Sequence, residues 1–144
     1  MKTRMLLGAT ASLALFGAGY WAGERPQTVH AASATRVYEL RIYHANPGKL
    51  DDLLARFRDH TMTIFERHQM HNVAYWTPTD EPLKGKTLYY IISHDSREAA
   101  TANWRAFAAD PEWQKVSAAS EVNGKLVERL ESAFLESTDF SPMK

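Results

Sequence analysis

Two histidines, His44 and His94, are the residues of this sequence best placed to do chemistry. Each closes a predicted strand, residues 37–44 and 88–94, and each stands just before a predicted helix. We expect the two strands to be central, adjacent and parallel, which brings both imidazoles to one end of the sheet on its helix-facing side. Neutral imidazoles there could act as a base, bind a metal or hold a ligand. Alternatively, each hydrogen-bonds a nearby cap or loop carbonyl.

Other polar and aromatic side chains could complete a ligand pocket, because such pockets are mostly apolar with a few polar groups. Arg41 stands between Glu39 and Tyr43 and could anchor an anionic ligand. The alternative is an ion pair between Arg41 and Glu39 that bridges the two sheets of a dimer. Aromatic residues at strand or helix spacing are also typical of a core. The candidate ligand-binding residues are Arg41, Tyr43, His60, Tyr75, Trp76, Tyr90 and Trp104.

The remaining histidines are a weak metal pattern. His60 and His68 are eight residues apart on a predicted helix, and His71 follows beyond the end of that helix. A metal site needs three or four convergent ligands, and the chain contains no cysteine to supply one. The sequence therefore predicts no metal and no cofactor. It also shows no Ser-His-Asp order, phosphate-binding glycine loop or paired-carboxylate motif.

The elements that must position these side chains follow from the periodicity of the apolar residues. Their order is β-α-β-β-α-β, a ferredoxin-like α+β fold with a four-stranded antiparallel sheet and helices on one face. In chain order they are a strand at 37–44, a helix from Pro47 to Gln69, strands at 72–77 and 88–94, a helix after Asp95-Ser96, a second helical segment from Pro111 to about 120, and an edge strand at 126–136.

The face of the sheet without helices needs a partner if it is apolar. We expect that face to carry Tyr43, Tyr89 and Ile91 beside Glu39 and Arg41. Two copies that pack sheet against sheet around a twofold axis would cover it. The sequence therefore predicts a homodimer.

Residues 1–35 precede the predicted domain at 36–144. Lys2 and Arg4 come before an uncharged, mostly apolar run at 5–23, and small residues follow near Ala31. This pattern is typical of an export signal with a cleavage region, which places the protein in the periplasm or outside the cell. The alternative is an uncleaved membrane anchor, since about 18 apolar residues can span a bilayer. No twin-arginine pair is present, which favours the general secretory route.

The overall charge excludes one class of partner. Seventeen basic residues balance seventeen acidic ones, and no basic stripe is present. A nucleic-acid-binding surface requires clustered Lys and Arg, so we do not expect a nucleic-acid partner.

Several motifs together resemble the NIPSNAP family of the dimeric α+β barrel superfamily, over about residues 36–144. They are VYELRIYHANPGKLDDLLARFRDHT, HNVAYWTPTDEP, TLYYIISHDSREAATANWRAFAADPEWQKV and LESAFLESTDFSPMK. The resemblance implies the ferredoxin-like dimeric fold but no settled catalytic motif. Neighbouring families of that superfamily include cofactor-free monooxygenases, isomerases and haem-degrading enzymes, which is an analogy of fold alone.

Three functions are consistent with the sequence. The leading one is an exported homodimer that binds a small hydrophobic or aromatic molecule, or a partner, without established catalysis. The second is a cofactor-independent monooxygenase or isomerase, with His44 and His94 in a pocket between sheet and helices. The third is a haem binder with a histidine ligand.

Overall fold

A computed structural model of the 144-residue chain describes residues 36–143. The predicted export signal or anchor, with its linker, lies outside these residues. Within them, no helix has the length and apolar character needed to cross a bilayer.

The chain folds in the predicted β-α-β-β-α-β order. The strands are β1 (Val37–Ala45), β2 (His71–Trp76), β3 (Thr87–His94) and β4 (Val127–Leu135). The helices are α1 (Leu50–Arg56), a π-helical turn (Phe57–Thr61), α2 (Met62–Arg67), α3 (Arg97–Ala109) and α4 (Pro111–Ser120).

The sheet has the order β2-β3-β1-β4, and every neighbouring pair is antiparallel. The α+β, ferredoxin-like prediction is confirmed, but the prediction that β1 and β3 run parallel is wrong. A crossover helix makes β2 the parallel relative of β1. Because β3 returns from β2 through a hairpin and lies between them, it runs opposite to both.

Short-range hydrogen bonds define the ends of the helices. The first helix does not begin at Pro47 as predicted, because residues 46–48 form a turn with Gly48 at φ 72° and a hydrogen bond from Lys49 N to Asn46 O (2.9 Å). Ser96 caps α3 by accepting from Ala99 N, and Asp110 caps α4 through Glu112 N and Trp113 N. These side chains satisfy N–H groups that have no partner inside a helix.

A continuous aromatic cluster fills the space between helices and sheet. The ring of Phe57 contacts those of Tyr43, Phe65 and Tyr90, with centroid separations between 5.1 and 6.1 Å. Most of these pairs are edge-on or tilted, the arrangements that the ring quadrupole favours. The core therefore takes Tyr43 from β1, which the sequence placed on the opposite face.

The face assignment of β1 is reversed throughout. Pairing with β3 and contacts with the helices put Glu39, Arg41 and Tyr43 on the helix-facing side. The opposite face has no helix over it among the described residues. Its side chains come from three strands and are mainly apolar: Leu40, Ile42, Ala74, Trp76, Tyr89 and Ile91.

Candidate functional site

The two histidines expected to share a site are at opposite ends of the sheet. His94 lies opposite Val37, at the start of β1, whereas His44 lies opposite Thr87 near the end of that strand. Seven residues of strand, about 24 Å at 3.4 Å per residue, separate the two positions. They also lie on opposite faces, since alternate residues of a strand do so. The predicted two-histidine pocket therefore does not form.

His94 belongs to a buried polar cluster centred on Glu39, which is 1% exposed. Glu39 Oε2 lies 3.1 Å from His94 Nε2 and accepts a hydrogen bond from Trp104 Nε1 at 2.7 Å. When Nε2 carries the proton, His94 Nδ1 faces the Asn103 amide at 3.4 Å. Both ring nitrogens are engaged, which leaves neither one available to a substrate or a haem iron.

Arg41 supplies the positive charge of the same cluster. Its Nη1 donates to Glu39 Oε1 at 2.8 Å, and its Nη2 donates to Tyr43 Oη at 3.2 Å. The guanidinium carbon lies 4.2 Å from the Trp104 ring centroid, a cation–π contact. The ion pair with Glu39 thus forms within one protomer and does not bridge two sheets.

These contacts determine the net pKa of Glu39. Burial alone raises it, but the hydrogen bonds from His94, Trp104 and Arg41 outweigh that effect and hold the pKa below its ordinary value. Glu39 is therefore ionised at neutral pH and balances the charge of Arg41.

Two buried polar atoms beside this cluster have no hydrogen-bond partner among the described residues. They are Arg41 Nε and the hydroxyl of Tyr90, whose side chain is 0% exposed. The two residues lie directly opposite each other on β1 and β3. Burial, with Tyr43 nearby, raises the pKa of Tyr90, so its hydroxyl stays protonated. Unpaired buried polar groups are uncommon, and a bound ligand is one of the reasons for them.

The cluster borders an open part of the sheet. In the β1–β4 register, Arg41 lies opposite Ser132 and Tyr43 lies opposite Leu130. Both β4 residues are exposed, Leu130 by 44%. The helix-facing side of β4 is consequently a groove whose inner wall is Arg41, Tyr43 and Trp104, each partly buried. A flat molecule could lie in this groove and reach the guanidinium.

The other candidate residues are divided between this wall and more distant places. Tyr75 stacks on Tyr90 with 5.3 Å between centroids and an interplanar angle of 8°, so it belongs to the same aromatic shell. Trp76 is 53% exposed on the face without helices. His60 is exposed on the π-helical turn and lines a separate cleft between helices.

His44 takes part in an ion-pair network at the far end of the sheet. Its Nε2 lies 2.8 Å from Glu131 Oε1 and 2.8 Å from Arg129 Nη2. The hydrogen bond from His44, with a further contribution from Arg129, lowers the pKa of Glu131. Exposed pairs of this kind contribute little to stability. No described cluster of His, Asp or Glu has the geometry of a metal site.

Asn103 and Ser132 are site residues that the sequence reasoning missed. Asn103 lies one residue before Trp104 on α3, and its amide also donates to Gln69 O at 3.0 Å. A signal for the cluster was present in the sequence, because Glu39 and Arg41, two apart on a strand, share a face and are complementary in charge.

The βαββαβ order, the one-sided helical layer and the uncovered sheet face define a ferredoxin-like domain of the dimeric α/β barrel type. A family model described as NIPSNAP matches residues 38–142. The chain belongs to the NIPSNAP family, as the motifs of the sequence indicated.

Solved structures agree with this assignment. An uncharacterized NIPSNAP domain protein of Burkholderia xenovorans is 25% identical with a TM-score of 0.62, covering 74% of this chain and 98% of its own. A NIPSNAP family protein with unknown function from Agrobacterium tumefaciens is 21% identical with a TM-score of 0.66, covering 78% and 96%.

A more distant likeness extends the comparison of fold. A monooxygenase of Streptomyces coelicolor in complex with nanaomycin D is 16% identical with a TM-score of 0.52, covering 73% of this chain and 89% of its own. At this identity the likeness concerns the fold alone. No curated protein matches the sequence.

Proposed function

We propose that this protein is an exported, homodimeric NIPSNAP domain that binds a small aromatic molecule in the groove beside Arg41. The observation that carries the proposal is the pair of unpartnered buried atoms, Arg41 Nε and Tyr90 Oη, inside an aromatic shell. A ligand oxygen near them would satisfy donors that are otherwise costly to bury.

The chemistry of the groove defines the ligand class. Trp104 and Tyr43 offer ring faces and edges to a flat apolar body, and Leu130 adds apolar surface at the rim. Glu39 already neutralises Arg41, so the guanidinium offers hydrogen bonds more than net charge. We therefore expect an aromatic molecule with a carbonyl or phenolic oxygen.

The dimer is supported by the composition of the sheet face without helices. Leu40, Ile42, Tyr89 and Ile91 are partly exposed there, and Trp76 extends the apolar surface to β2. Contiguous apolar patches of this kind mark interaction sites. A second copy fits because a twofold axis matches the same patch to itself.

Native mass spectrometry of the protein purified from its own host tests the binding proposal. We expect a small organic adduct on the wild-type chain. The Ser132→Trp variant, which fills the groove from an exposed position opposite Arg41, should lose that adduct by at least tenfold. Ala106→Trp, exposed on α3, is the matched control and should retain it. An adduct carried equally by both variants would place the ligand elsewhere, and no adduct on the wild type would contradict the proposal.

Export is tested by sequencing the N-terminus of the protein recovered from cell fractions. We expect a periplasmic or secreted chain that begins at Ala32 or Thr35, after one of the two small-residue cleavage patterns. Leu15→Asp, which interrupts the apolar run, should retain the precursor in the cytoplasm. A wild-type chain that keeps Met1 and sediments with membranes would establish the anchor instead.

A further inference from the structure

A second cleft lies on the helical layer, apart from the groove beside Arg41. It has a volume of about 610 Å³ and is formed between α1 with its π-helical turn on one side and α4 on the other. Its lining includes Ala55, Arg56, His60, Val116, Ala119 and Ser120. A volume of this order is that of ordinary small-molecule sites.

Arg56 is the distinctive residue of the cleft, because its side chain is only 5% exposed. Both of its hydrogen bonds come from Nη1, at 3.2 Å to Ser120 Oγ and 3.2 Å to Glu121 Oε1. Its Nε is buried without a partner among the described residues. The guanidinium lies 5.2 Å from the Trp113 ring centroid, which holds its plane in place. An arginine has five N–H donors, so most of this one's capacity is unused.

The charges around the cleft define what it can accept. Lys49, Arg56 and Lys115 are opposed by Asp52, Asp59 and Glu112, so the lining has no excess of formal charge. Lys49 pairs with Asp52, and Glu112 pairs with Arg67, outside the lining. A polyanion such as a nucleotide gains nothing from such a balance, whereas one carboxylate can use the fork of Arg56.

We propose that this cleft binds an aromatic monocarboxylate, with its carboxylate on Arg56 and its ring between Ala55, Val116 and Ala119. The site is independent of the groove beside Arg41, because it shares none of the residues that form the groove. Small apolar side chains on both walls leave room for a ring, and Trp113 beneath Arg56 adds aromatic surface.

Benzoate is the probe, titrated into the folded chain and followed by amide chemical shifts of α1 and α4. We expect saturable shifts with a Kd on the order of 1 mM, as suits a ligand of so few atoms. Ala119→Leu fills the cleft from an exposed position and should weaken binding at least tenfold. Ala118→Leu, exposed on α4 but outside the lining, should bind as the wild type does.

Two further variants make the test specific. Arg56→Lys keeps the charge but lacks the fork, so we expect at least fivefold weaker binding. Ser132→Trp blocks only the groove beside Arg41 and should leave benzoate binding unchanged, which separates failure here from failure of the proposed function. Shifts that never saturate, or that are equal in Ala119→Leu and the wild type, would overturn the proposal.

Discussion

Replacement of Ile91 by lysine is expected to leave the protein as a monomer. Ile91 lies opposite Leu40 on β1 and Ala74 on β2, within the face that no described helix covers. In a sheet-to-sheet dimer the twofold axis buries two copies of every substitution. Two lysine ammonium groups would then have to be desolvated without partners, which costs several kcal/mol for each ion.

Sedimentation equilibrium over a range of protein concentrations measures this effect. The wild type should have the mass of two chains at micromolar concentration, and Ile91→Lys should have the mass of one. Val122→Lys makes the same chemical change at a residue that is 78% exposed outside the sheet, and it should remain dimeric. A wild-type monomer, or a dimer that tolerates Ile91→Lys, would contradict the proposed interface. Circular dichroism of each variant checks that the fold persists.

The fold could be predicted because its local signals agree with one another. Strand alternation at residues 37–44, helical spacing after Leu50, and the caps at Ser96 and Asp110 all appear in the structure close to their predicted places. Such consistency between local and global preferences is what makes a sequence specify one fold. Helix boundaries were less certain, since a turn and a cap at residues 46–49 use the same residue types.

The face of β1 could not be predicted from alternation, because both sets of side chains are mixed. Glu39 and Arg41 suggested the outer face, yet the structure buries them together under Trp104. Charged groups can be buried when they pair and their remaining hydrogen bonds are made. His94 and Trp104, which supply those bonds, are 55 and 65 residues away in sequence. Only the tertiary fold brings them together.

The predicted histidine pair failed for a topological reason. His94 is on the helix-facing side as expected, but β1 and β3 are antiparallel, so two strand ends in sequence become opposite ends in space. Part of the ligand prediction was nonetheless useful. Arg41, Tyr43, Tyr75, Tyr90 and Trp104 do lie together.

Glu39→Ala is expected to cause the largest loss of stability of any substitution considered for this chain. Glu39 receives hydrogen bonds from Arg41 and Trp104 and lies within hydrogen-bonding distance of His94. Its removal leaves the Arg41 charge largely buried with no counter-ion, and removing one partner of a buried pair costs about 3–5 kcal/mol. Urea unfolding at neutral pH should show the change as a lower midpoint. Glu128→Ala, an exposed change on β4, should leave the midpoint nearly unchanged.

Glu39→Gln separates the charge of Glu39 from its shape. The amide keeps one acceptor oxygen, so at neutral pH the loss should be smaller than for alanine. Because the pKa of Glu39 is lowered in the folded state, its ionised form adds stability above the ordinary glutamate pKa of 4.5. That stability disappears as pH falls through the lowered folded value. The gap in unfolding free energy between wild type and Glu39→Gln should therefore narrow as the solution is acidified below pH 4.5. A gap independent of pH would show that the carboxylate charge does not stabilise Arg41.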